Sequence, residues 1–108
     1  IIDEIAKELG VNYEFEIKSY VPGSTSPSDS NLVNTLSSCV NSTLNLNPKK
    51  LIADIRYDAV FYGKINSANF GPGEPDQAHV PNEFVDIRNI EKSSLIYECM
   101  MKVMSKNV

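Results

Sequence analysis

Histidine is almost missing from this sequence: one residue, His79, in 108. There is no HExxH and no second histidine at ligand spacing, so no self-sufficient histidine metal site is written here. Cysteine occurs twice, as Cys39 and Cys99, with no CxxC pair, which excludes a disulfide-dense scaffold and a thiolate zinc knuckle. Both lie in helical patterns with no basic neighbour. They are expected to be reduced structural thiols of a cytoplasmic protein. No basic cluster exceeds Lys49-Lys50, and the net charge is −4, which argues against nucleic acid and an anionic membrane surface as partners. No apolar run approaches the roughly 20 residues that span a bilayer. The first residues carry acids and no basic n-region, unlike a signal peptide. An initiator methionine is also lacking, and the chain opens inside an amphipathic pattern; a piece of a longer protein is expected.

What is present is ordinary for a small globular domain, 42% hydrophobic and 22% charged residues. Ile1, Ile2, Ile5, Ala6 and Leu9 recur at helical spacing, and Gly10 is a natural stop. Residues 11–20 alternate, with Tyr13, Phe15 and Ile17 against Glu14, Glu16 and Lys18, which predicts a strand with one wet face. The Pro-, Gly- and Ser-rich stretch 21–30 reads as a hinge. Asp29 or Ser30 then caps a helix with the stripe Leu32, Val33, Leu36, Val40 and Leu44, ended by an Asn-rich segment. Residues 51–55 and 65–70 read as short strands, and 57–64 as a short helix closed by Gly63. The last helix is predicted over 90–106, with Leu95, Ile96, Cys99, Met100, Val103 and Met104 as its apolar face and the methionines as core filler. Alternating helices and strands predict an α/β layer arrangement.

The second short strand runs into a stiff loop, FGPGEPDQAHVPNEFV, at 70–85. Gly71 and Gly73 flank Pro72 and set a turn. Glu74, Asp76, His79, Asn82 and Glu83 follow closely, at a strand end, where α/β folds place their sites. Histidine is the commonest metal ligand, and its other ring nitrogen is usually held by a carboxylate or carbonyl. Glu83 is placed either to orient His79 in that way or to start the next helix. From these residues alone, His79 is an incomplete metal site or a solvated loop residue.

The pattern Phe70-Gly71-Pro72-Gly73, then Ala78-His79, then Asn82-Glu83-Phe84-Val85 resembles the carboxy-terminal signature of the co-catalytic zinc amidohydrolases. That family includes acetylornithine deacetylase, succinyl-diaminopimelate desuccinylase, aminoacylase and carboxypeptidases. The resemblance covers essentially the whole chain. It implies an α/β fold: the C-terminal part of a catalytic domain, a mixed sheet with flanking helices, after the last helix and strand of a ferredoxin-like lid. The lid would end within 1–20, the hinge occupy 21–30, and the catalytic part 31–108. His79 falls on the family's last zinc ligand, in a site of two zinc ions for which cobalt is an alternative. Gly71 and Gly73 fall beside the substrate. Asp58 and Ala59 match a Thr-Asp-Ala-Arg motif, with Tyr57 in place of its Thr and Val60 in place of the Arg that holds a substrate carboxylate; Arg56 lies nearby as a substitute.

The family's upstream ligands, in an H-x-D motif, a bridging Asp and a Glu-Glu pair containing the general base, have no counterpart here. The resemblance therefore implies a segment of a zinc-dependent amidohydrolase of N-acyl amino acids, inactive by itself and not retaining zinc. The alternatives are a dipeptidase or carboxypeptidase of the same family, or a non-catalytic interaction domain on its scaffold. The expected partners are a small N-acyl amino acid or peptide and, through the lid, a second copy in a homodimer.

Overall fold

The computed structural model describes residues 1–53, 57–63 and 65–107. Among these, three α-helices and three short 3-10 turns are joined by extended chain, and no strand forms. Helix α1 is Ile2–Leu9, α2 is Asn31–Leu44 and α3 is Ile87–Met104.

Each helix ends where local chemistry ends it. Gly10 takes φ 63°, and the Val11 amide donates back to the Ala6 carbonyl at 3.0 Å, a glycine-terminated close of the Schellman type. The Ser30 hydroxyl accepts from the Val33 amide and caps α2. Asn45 closes that helix at φ 54°, while the Asn41 side chain donates to the Leu46 carbonyl and the Asn47 Oδ1. Helix α3 starts ahead of the expected position because Asp86 caps it, accepting from the Arg88 amide at 2.9 Å.

The Arg88 guanidinium pairs with the same carboxylate at 2.6 Å. Together with the amide bond it holds the Asp86 carboxyl below the usual carboxylate range, and Lys92 adds to the shift. A carboxyl depressed in the folded state contributes stability above its unfolded pKa, and that contribution is lost as pH falls through the folded value. Acid titration followed by circular dichroism should therefore show loss of helix as pH drops below the ordinary carboxylate range. Asp86→Asn, which caps without titrating, should remove that part of the transition; an unchanged acid limb would contradict the cap's role.

The α/β expectation is corrected here. The mixed sheet and the lid strand do not form among the described residues. Residues 11–20 are exposed along their whole length, as are 51–53. Alternation marks a chain suited to a pleated surface, but a strand exists only when a neighbour takes its amides and carbonyls. Among the described residues no second segment pairs with 11–20 as a strand. Residues 54 and 55 of the other predicted strand lie outside the described residues.

The cysteine expectation is corrected as well: Cys39 and Cys99, 60 positions apart in sequence, form a disulfide. Each sits on the apolar stripe of its own helix, and α2 packs against α3 along those stripes. The core is small. Cys39, Val40 and Ile96 are buried, with Leu36, Leu44, Phe70, Cys99 and Met100 against them. Met101 and Met104 are exposed rather than core filler. The disulfide also removes the ground on which a cytoplasmic setting was expected.

The rest of the chain is spread out. The radius of gyration is 19.9 Å, against about 13 Å for a compact domain of this length. The accessible surface is 9523 Å², where a folded monomer of this mass shows about 6,000 Å². The apolar face of α1, Ile2, Ile5 and Leu9, stays exposed.

The hinge stretch is nevertheless fixed at two points. The Ser67 amide donates to Ser26 Oγ at 2.7 Å. Lys50 Nζ donates to the Ser28 carbonyl at 2.6 Å and to Asn34 Oδ1 at 3.2 Å. Lys50 is the pin between the hinge and the first turn of α2.

Candidate functional site

The loop at 70–85 is built between two attachments to α3. At its start, the Tyr97 hydroxyl donates to the Phe70 carbonyl at 2.6 Å, and the two rings meet edge to face with centroids 5.7 Å apart. At its end, Asp86 caps the helix. Between them the chain takes one 3-10 turn, Pro75–Gln77, with proline at its first position where a missing amide costs nothing.

His79 follows that turn with φ 64°, and Asn82 has φ 59°. A histidine in the left-handed region is uncommon, and such conformations gather at functional positions. They fold the segment back on itself, so that it encloses an open cleft of about 680 Å³. Gly71, Gly73, His79 and Glu83 all line it. A β-carbon on either glycine would meet nothing within 4 Å. The glycines therefore leave the cleft wall open rather than filling a tight contact.

Asp58 does not line this cleft. It is exposed at the start of the 3-10 turn Asp58–Tyr62, and its neighbour Tyr57 lines the cleft instead. Arg56, the substitute weighed for the absent arginine, lies outside the described residues. Glu74, one of the polar residues noted after the glycine turn, lines the cleft, and so does Asn69, which sequence reading passed over. The signal for Asn69 was adjacency to the glycine turn. Tyr97, which anchors the loop, gave none, because its partner lies 27 positions away.

The donor set decides what the cleft can hold. His79, Glu74 and Glu83 share the wall and are all exposed. Among the described residues no group of three His, Cys, Asp or Glu side chains is placed to hold a metal ion. A catalytic zinc takes about three protein ligands plus an open position. These residues do not fit such a centre by themselves; they offer one imidazole to it. Among the described residues no lysine or arginine lines the cleft. No helix among the described residues is long and apolar enough to cross a membrane.

The sequence profile of Peptidase family M20/M25/M40 matches residues 3–103, from α1 through nearly all of α3. No curated protein matches the chain, and no solved structure does.

Proposed function

This chain belongs to peptidase family M20/M25/M40, a family of hydrolases, and on that premise we propose that it forms one corner of a metal-dependent site cleaving the amide bond of N-acyl amino acids. His79 supplies one metal ligand. Glu83 orients its ring. Gly71 and Gly73 leave open backbone where a substrate passes. The observation that carries this reading is the left-handed turn at His79, which brings the imidazole onto the same cleft wall as the two glycines and Glu83. The metal is zinc, the metal generally associated with the family, and its remaining ligands come from polypeptide other than these residues.

Val60 at the position of the family arginine supports a substrate whose carboxylate is bound elsewhere. A second reading, a non-catalytic interaction domain, draws support from the exposed face of α1 and from the single imidazole.

The two readings separate on the metal. The isolated 108-residue chain should retain less than about 0.1 zinc per chain after dialysis, because one imidazole is a weak ligand set. It should hydrolyse no N-acyl amino acid. Elemental analysis checks the first expectation, and stoichiometric zinc in the isolated chain would overturn it. If a longer polypeptide containing this segment and the family's upstream ligands is also metal-free and inactive, the interaction domain is the correct reading.

A further inference from the structure

We propose that the Cys39–Cys99 disulfide is a redox switch that sets the order of the His79 loop. The loop is hung on the helix pair that the disulfide joins. Phe70, its first residue, packs against the buried cluster of Cys39, Val40 and Ile96, to which both α2 and α3 contribute. Tyr97, two positions before Cys99, holds the Phe70 carbonyl and its ring. The seat of Phe70 therefore exists only while α2 lies against α3. The apolar contact holding the two helices together is small, with three buried apolar residues among the described ones, of which Cys39 is one. With the sulfur–sulfur bond broken, α2 is free to leave, and Phe70 loses the half of its seat that α2 provides.

The chemistry balances with a dithiol as reductant. Cys39 is 1% exposed, whereas Cys99 is half-buried, so an incoming thiolate meets the Cys99 sulfur. A mixed disulfide forms there and Cys39 leaves as thiolate and takes a proton. The second thiol of the reductant closes its own disulfide and releases Cys99 as a thiol. Two electrons and two protons pass to the chain. The reverse reaction with a disulfide oxidant restores the seat.

The importance of loop order for catalysis rests on the hydrolase reading, but loop order itself is measured without activity. Amide hydrogen exchange is followed in the air-oxidised chain and in excess dithiothreitol, with alkylated thiols counted by mass. Oxidised chain should show no alkylated cysteine. Reduction should expose both and raise exchange at Gln77 and Ala78, whose amides close the loop's 3-10 turn, about tenfold or more while α3 stays helical. Tyr97→Phe in the oxidised chain should raise exchange at the same two amides and leave α2 unchanged. The double variant Cys39→Val, Cys99→Ala should reproduce the reduced loop without reductant.

Loop exchange unmoved by reduction or by the double variant would overturn the proposal. So would free thiols in air-oxidised chain of native helicity. Loss of all helix on reduction would also overturn it, by making the disulfide a requirement for folding rather than a switch. The hydrolase reading survives any of these outcomes.

Discussion

Reducing the Cys39–Cys99 disulfide is expected to lower the stability of the α2–α3 pair by about 4 kcal/mol. The figure follows from the chain entropy that a crosslink spanning some 60 residues removes from the unfolded state. It is a large share of the 5–15 kcal/mol typical of whole domains, and this core is small. Its buried apolar members are Cys39, Val40 and Ile96, too few to replace the crosslink by packing. Urea unfolding followed by far-ultraviolet circular dichroism, with and without reductant, measures the difference as the change in unfolding free energy extrapolated to water. A shift below about 1 kcal/mol would mean that apolar contact already holds the pair.

The second large effect concerns His79. In a complete hydrolase carrying this segment, His79→Ala should lower kcat/KM by more than about 100-fold, beyond what loss of a ligand's supporting hydrogen bond costs. The fold should be unaffected, because His79 is exposed and lies outside the α2–α3 core. Glu83→Gln tests the neighbouring role. As the residue orienting the imidazole it should cost about 10- to 100-fold, with metal affinity falling alongside. Full activity in His79→Ala would leave the cleft without its ligand.

The helices were legible in the sequence because their signals are local. Gly10, Ser30 and the asparagines after Leu44 stop or start the chain through their own backbone and side-chain bonds, whatever lies around them. The strands were not legible in the same sense. Tyr13, Phe15 and Ile17 carry the right alternation, yet alternation says only which face a strand would bury, and pairing depends on a second segment. The disulfide shows the same limit from the other side. Cys39 and Cys99 were each read as lying in helical patterns, but their meeting depends on how two helices cross.

The candidate site divides similarly. The glycine turn, His79 and Glu83 were marked by one continuous motif, and the cleft gathers them. Asp58 was marked by a second motif elsewhere and stands outside the cleft wall. The loop's attachment to α3 through Tyr97 could not be read at all, since a tyrosine on a helix face carries no sign of which carbonyl it will find.

The central claim is that His79 is a metal ligand. The most direct measurement is X-ray absorption at the metal edge of the complete, metal-loaded hydrolase, wild type against His79→Ala, with metal content determined on the same samples. The account predicts that the variant loses one imidazole from the coordination shell together with part of its bound metal. An unchanged shell at unchanged metal content would contradict it.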